Sequence, residues 1–288
     1  VKDGKEKFRF ALEHAKGFLV VMGMNYDASA SQYIVYGEYY GKTGKDRFDI
    51  KNKIGFFLQA YDMEGKLVKE NFATWETDIA GIIPVNKKGK LDNNAYVFVH
   101  NVVKTADGNY FAIGEQFKKA VSGKGILLNV AAQATGGSTN AGMAEIQMLD
   151  MMVFQFDSDL KPKKAYIIEK EKNEIVLQKG MSTVSVHKLG YMMKLYGYFE
   201  YSFTTESADK STFNSVYVNY AKDRKEGTNC DVGSIFYTKD KQIDVDHVKL
   251  NTKPTWYRII PAKAGYLTIF EYKRKEKTLD FRLEKLDQ

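Results

Sequence analysis

The chain has 288 residues, 44% of them hydrophobic and 14% aromatic, with 19 Tyr and 18 Phe but only 4 Pro. That is enough apolar material for one large β domain or two ordinary ones, and no stretch approaches the apolar length of a membrane-spanning helix. The formal charge of +7 is carried mostly by lysine, with arginine confined to Arg9, Arg47, Arg224, Arg258, Arg274 and Arg282. Lysine is a solvated point charge rather than the bidentate fork that reads bases and phosphates. The surplus is therefore read as solubility and edge protection on a β surface, not as specific nucleic-acid recognition.

Residues 8–12 alternate as a strand, and residues 17–26 form a second strand that ends in the small-residue turn 27–31. The next segment, Tyr33-Ile34-Val35-Tyr36-Gly37-Glu38-Tyr39, is a strand with a Gly-Glu pair near its end. After a polar loop over 41–53, an apolar run over 54–61 enters the turn Asp62-Met63-Glu64-Gly65, and a further strand leaves it. Such β-branched and aromatic runs around Asp, Gly and Lys turns predict hairpins. Residues 78–94 connect to a second unit, where 95–103 and 109–117 form a hairpin around Ala106-Asp107-Gly108.

The Gly-Glu strand returns there as Tyr110-Phe111-Ala112-Ile113-Gly114-Glu115-Gln116-Phe117. A degraded copy is Met193-Lys194-Leu195-Tyr196-Gly197-Tyr198-Phe199, and a last one is Tyr266-Leu267-Thr268-Ile269-Phe270-Glu271-Tyr272. Taking Gly37, Gly114, Gly197 and Phe270 as equivalent spaces the copies by roughly 80 residues, a period that calls for radial or stacked architecture. A turn hairpin follows each of the first three copies: at 54–69, at 151–168 around Asp157-Ser158-Asp159, and at 232–250 around Thr238-Lys239-Asp240-Lys241.

The expected fold is all-β, a propeller-like array of four-stranded antiparallel blades. Four blades are visible in a single domain over 1–288, and the array can belong to a larger propeller. The blades fall at 13–78, 95–170, 175–250 and 255–288. The last blade reads one strand short, and the 8–12 strand can supply the missing partner, closing the ring beside residues 279–286, or can end an earlier blade. Residues 118–147, with their Gly-rich half, form the main insertion; it is expected to be the least regular part and can hold a short helix.

The motifs Asp107 to Glu115 and Met151 to Asp159, with the ending Pro261 to Tyr272, resemble those of bacterial propeller-like repeat proteins of the secreted or envelope kind. The resemblance implies a propeller and a periplasmic, secreted or cell-surface location, and brings no catalytic residues. The opening residues 1–7 are charged and lack the apolar core of a signal peptide, so a leader is not visible in this sequence. The single cysteine, Cys230, permits no intrachain disulfide.

Motifs for chemistry are sparse. His14, His100, His187 and His247 are dispersed and match no metal-ligand spacing. Gly123-Lys124-Gly125 lacks the Ser or Thr and the upstream Gly of a phosphate loop, and no Gly-x-Ser-x-Gly elbow occurs. Gly136 to Gly142 offers backbone N–H groups for an anion but reads better as a flexible connection. Asp157-Ser158-Asp159 and Asp244-Val245-Asp246 read as ordinary Asx turns rather than calcium loops. The aromatics Tyr39, Tyr40, Tyr61, Trp75, Tyr220, Trp256 and Tyr257 lie near strand ends, where they can pack between blades or meet sugars on a rim.

The repeated Glu38, Glu115 and Glu271 are the candidate channel or rim residues; in the third copy Tyr198 takes the position and Glu200 follows. In a ring they either face one channel or hold neighbouring backbone and lysines. Convergence within about 5–10 Å, without lysine partners, would mark a carboxylate pair for glycoside chemistry. The expected function is a non-enzymatic binding or assembly module of a bacterial cell envelope, with a protein partner or polysaccharide, no cofactor, no metal and no catalytic residue. The alternative is a carbohydrate-active, glycosidase-like enzyme with carboxylates in a propeller channel.

Overall fold

A computed structural model describes residues 9, 12, 17–41, 52–223, 227–240, 242–250, 256–263 and 265–286. The chain is laid out in consecutive antiparallel sheets. The first contains β1 (Gly17–Asp27), β2 (Gln32–Gly41), β3 (Lys53–Tyr61) and β4 (Leu67–Thr74) in chain order. The second contains β5 (Tyr96–Lys104), β6 (Tyr110–Val121), β7 (Ala141–Phe156) and β8 (Pro162–Ile168), with β9 (Asn173–Gln178) paired on the free half of β7. The third contains β10 (Tyr201–Glu206), β11 (Phe213–Asp223), β12 (Gly227–Thr238) and β13 (Gln242–Lys249). The fourth has three strands among the described residues, β14 (Trp256–Pro261), β15 (Tyr266–Lys273) and β16 (Thr278–Lys285).

The first strands meet in succession, β1 against β5, β5 against β10, and β10 against β14. Each facing pair of sheets shares an apolar core. Ile34, Tyr36 and Phe56 meet Val97, Ala112 and Phe154; Phe111, Ile113 and Val153 meet Phe213, Tyr217 and Ile235; Val216 and Val232 meet Leu267 and Ile269. Face-to-face burial of alternating strand residues, repeated around successive first strands, is the packing of a propeller-like array. One polar tie joins the first three sheets. Asp27, at the end of β1, is buried and receives the ammonium groups of Lys104, at the end of β5, at 2.8 Å and of Lys210, in the turn after β10, at 2.6 Å. Burial alone would raise this carboxyl, but the two lysines hold it well below the usual carboxylate range.

The repeat has a backbone cause. In each of the first three sheets the first strand carries one unpaired residue, Met22, His100 or Ser202, opposite Gly37, Gly114 or Tyr217 of the second strand. Such a bulge bends its strand and increases the local twist. A Cβ on Gly37 would lie 2.0 Å from the Val20 carbonyl oxygen, and one on Gly114 would lie 2.7 Å from Val97. In the third sheet the small residue has crossed the ladder: Tyr217 pairs with Gly233, whose missing Cβ leaves room for the tyrosine ring.

The third copy of the module is thus Tyr217-Val218 on β11, which corrects the reading at residues 193–199. Those residues end α2 (Val186–Leu195), which is capped by Ser185 and stopped at Gly197 with φ +68°. The third sheet accordingly begins at Tyr201, and residues 173–178 belong to the second sheet. The insertion at 118–147 is also more regular than expected. β6 runs on to Val121, α1 (Gly123–Ala134) follows with Ser122 as its cap, and β7 starts at Ala141. The expected strand at 8–12 lies almost wholly outside the described residues; its Leu12 packs with Val35, Tyr39 and Phe57 on the other face of the first sheet.

Candidate functional site

Glu38 sits on β2 with its side chain sealed in the interior. Lys53 Nζ lies 2.5 Å from Oε1, and Lys53 is itself fully buried beneath the Trp75 ring. The hydroxyls of Tyr40 and Tyr191 donate to Oε2 at 2.7 and 3.2 Å, and His187 Nε2 stands 3.6 Å away. Burial would raise the Glu38 carboxyl, but Lys53 and His187 outweigh it and hold the group at about 2. Burial lowers the Lys53 ammonium against the pull of Glu38, and burial with Lys53 nearby lowers His187 to about 4.

Glu115 occupies the matching place on β6 and is fully buried. Its Oε2 accepts the backbone N–H groups of Glu200 at 3.0 Å and Tyr201 at 3.2 Å, so it holds the entry to the third sheet. Its Oε1 lies 3.5 Å from Lys170 Nζ, and the same ammonium pairs more closely with Glu200 Oε2. His100, the bulged residue of β5, places Nε2 3.6 Å from Glu115, stacks on Tyr201 with ring centroids 4.7 Å apart, and meets Lys194 Nζ through Nδ1 at 3.3 Å. Burial lowers the His100 ring against the pull of Glu115. Burial opposes ionisation of Glu115, but His100 and Lys170 leave its carboxyl below the ordinary value. Glu200 goes the other way: burial, aided by Glu115, raises it to about 7 despite Lys170.

The two clusters share one roof. His187, Tyr191 and Lys194 recur at helical spacing on one face of α2, the first two reaching Glu38 and the third reaching His100 beside Glu115. Glu271 is buried on β15 of the fourth sheet, outside both clusters, and its Oε1 has no hydrogen bond among the described residues. Both Glu38 and Glu115 therefore have buried lysine partners. Of the rim aromatics, Tyr39, Tyr40, Tyr61 and Trp75 are interior packing groups, and Tyr257 is half-buried beside a cavity. His247 is exposed, and Asp157 accepts the N–H groups of Asp159 and Lys161 in an Asx turn.

Sequence reasoning passed over Lys53, Lys170, Tyr191 and Lys194. Lysines are common in this chain, and nothing local marks the two that are buried. Glu200 was visible as an offset glutamate, but its pairing with Glu115 depends on contacts 85 residues apart in sequence.

Successive antiparallel sheets of three to five strands among the described residues, packed face to face about adjoining first strands, define an all-β, propeller-like protein. Within that class the chain belongs to the family of unknown function DUF6770, whose profile matches residues 1–287. No curated protein matches it. Among solved structures it is similar to a full-length beta-fructofuranosidase from Microbacterium saccharophilum K-1, at 9% identity and TM-score 0.34, covering 92% of this chain and 56% of that one. It is also similar to an endo-arabinase from Bacteroides thetaiotaomicron VPI-5482, at 10% identity and TM-score 0.19, covering 96% and 95%. The chain spans about half the length of the beta-fructofuranosidase.

Proposed function

We propose that the protein is a non-enzymatic binding or assembly module of a bacterial cell envelope that engages a protein partner. The observation that carries this reading is the orientation of α1. Its face toward the sheet is small and polar: Ser122 caps it, Gly125 touches the Gly142 backbone, and Asn129 donates to the Gly125 and Ala141 carbonyls. Its aliphatic residues point outward, with Leu127 68%, Leu128 51% and Val130 57% exposed, flanked by exposed Val121 and Met143. A surface helix ordinarily buries its apolar face. An exposed aliphatic patch of this kind marks a contact surface.

The chemistry of the patch selects the partner. Sugars are met by aromatic faces and polar groups, and this patch is aliphatic. Helices that lie on membranes carry a basic polar face; the one lysine of α1, Lys124, is paired with Glu174 at 3.1 Å. An apolar protein surface fits what remains. The carboxylates support the same reading, since Glu38 and Glu115 are neutralised by lysines and covered by α2.

The experiment replaces Leu127, Leu128 and Val130 together by Ser, and separately places a photo-crosslinker at Leu127 in the native host. The expected result is an unchanged fold, a defined crosslinked protein species in the envelope fraction, and loss of that species in the triple variant. Crosslinking only to lipid, fractionation away from the envelope, or cleavage of any glycan by the parent protein would overturn the reading.

A further inference from the structure

The fourth sheet presents an exposed apolar face. Its register sets Phe270 beside Phe281, Tyr272 beside Leu279 and Thr268 beside Leu283. The alternate residues Leu267 and Ile269 point to the other side and pack on Val216 and Val232 of the third sheet. Each of the first three sheets buries its corresponding face against the sheet that follows it. In the fourth, Leu279 is 58%, Phe281 73% and Leu283 54% exposed, and the Phe270 and Phe281 rings lie 6.2 Å apart. An exposed apolar stripe at every second residue of a strand marks a contact surface.

The charges of this sheet are sorted by face. Glu271, Asp280 and Glu284 stand at the alternate positions, on the side of Leu267 and Ile269. Arg258 of β14 is paired with Phe270 and so joins the apolar side. Basic residues close both ends of the stripe. At one end the exposed turn 274–277 holds Arg274, Lys275 and Lys277 against the single Glu276. At the other, Lys285 lies across from Tyr266, and Lys263 Nζ sits 4.2 Å over the Tyr266 ring. Lys277 and Lys285 thus bracket Leu279, Phe281 and Leu283 in sequence. We propose that this face binds the surface of an anionic lipid bilayer, with Leu279, Phe281 and Leu283 entering between the headgroups and Lys275, Lys277 and Lys285 meeting the lipid phosphates.

The sorting selects the partner. A nucleic acid or a polysaccharide would leave the two leucines and Phe281 without apolar partners. A second copy packed on this face would bring basic ends together in either direction. A bilayer surface meets both demands at once, with acyl chains for the apolar stripe and negative headgroups for the lysines. Lysine stems can lie along the stripe while their ammonium groups stay among the headgroups. Insertion stays shallow. β16 has β15 on one side only among the described residues, and its free backbone edge needs hydrogen-bond partners that the hydrocarbon core lacks. None of the α1 residues takes part, so the proposal stands apart from the protein-partner reading.

The test is co-sedimentation of the full chain with vesicles of phosphatidylcholine and with vesicles of equal parts phosphatidylcholine and phosphatidylglycerol. Binding to the anionic vesicles should be at least about tenfold tighter, and should weaken as salt rises from about 0.1 M to about 1 M, over which the Debye length falls from about 10 Å to about 3 Å. Phe281→Ser with Leu283→Ser, and separately Lys275→Glu with Lys277→Glu, should each cost at least about tenfold. Serine at Leu127, Leu128 and Val130 of α1 should leave the binding unchanged. Phe281→Trp should give an emission that shifts to the blue with anionic vesicles, which contact through lysines alone would not produce. No binding to the anionic vesicles, the outcome for an acidic protein partner, would overturn the proposal. So would equal binding to both kinds of vesicle, a folded double variant that binds like the parent, or a concentration-dependent dimer that the paired serine changes abolish. Should a double variant not fold, the lipid preference of the parent and the Phe281→Trp shift decide.

Discussion

Replacing Lys53 by Met should expose how the first sheet is held together. The change keeps the length and apolar stem under Trp75 and removes only the ammonium. It leaves Glu38, 4% exposed, beside two tyrosine hydroxyls and a neutral histidine. The fall of the Glu38 carboxyl from its ordinary 4.5 to about 2 corresponds to roughly 3 kcal/mol. Removing one partner of a buried pair typically costs about 3–5 kcal/mol. At about 2–4 °C per kcal/mol for chains of this size, the melting temperature should drop by roughly 10 °C. The sign of the pH dependence follows from the depressed carboxyl. Its contribution is complete above about 4.5 and fades as the pH falls toward about 2. The deficit of Lys53→Met relative to the parent should therefore be full at neutral pH and close in acid. The double variant Lys53→Met with Glu38→Gln should recover most of the loss, because neither charge then remains buried. Denaturation of the four proteins at pH 7 and pH 3 measures this. A single-variant loss under about 1 kcal/mol, or a double variant no better than the single, would refute the account.

Three further changes probe the second cluster and α1. Glu115→Gln removes the charge that raises Glu200 and leaves Lys170 to Glu200 alone, so Glu200 should titrate below about 7 in carboxyl-labelled spectra; an unchanged value would mean that the two do not share the ammonium. Because Glu200 titrates above its unfolded value, its contribution is complete below about 4.5 and is lost as the pH rises through about 7; Glu200→Gln should remove that decline from the stability profile, and a parent profile without it would count against the raised value. Gly125→Ala would place a Cβ 1.9 Å from the Gly142 carbonyl oxygen, so α1 should lift from β7 at a cost of about 1–3 kcal/mol. Hydrogen exchange should then rise over 122–134 while the first sheet stays protected, and equal protection in parent and variant would contradict the contact.

The repeat was legible where the local chemistry repeated. Gly37 and Gly114 face bulged first strands, and the glutamate after each is recognisable by its neighbours. The last copy, at Phe270-Glu271, lies on β15 as read. The third was hidden because the glycine moved across the ladder to Gly233 while Tyr217 took its place. The false copy at Gly197 shares with them a glycine set in an apolar and aromatic run, yet there the glycine takes the left-handed conformation that ends a helix. Residue types alone do not separate a glycine that makes room from one that turns the chain. The apolar run in 126–134 posed a related problem. Its composition signals burial, and only the placement of Gly125 and Asn129 against β7 shows that the apolar side faces outward. Lys53 and Lys170 are indistinguishable in sequence from the surface lysines that dominate the charge.

The glutamates acquire a common role once the partners are known. Each carboxylate ties its own sheet to chain that arrives much later: Glu38 to α2, and Glu115 to the backbone that opens β10. In the third sheet the equivalent residue is Val218, which has no carboxylate. Val218 N–H instead donates to the Glu200 carbonyl at 2.9 Å, which extends the β10–β11 ladder within the same sheet. The glutamate missing from β11 is supplied from just before β10, where Glu200 joins Lys170 and Glu115. Helix α2 closes the system from both sides. Leu189 and Met193 bury it against Phe117 and Ile146, while His187, Tyr191 and Lys194 meet the two charged clusters. Apolar burial alone would tolerate a small rotation of this helix. The three polar contacts would not, since a turn of one residue would carry Tyr191 away from Glu38 and Lys194 away from His100. The buried ions thus fix the register of α2, and with it the wall that Leu189, Met192 and Met193 give to the groove between α2 and β9.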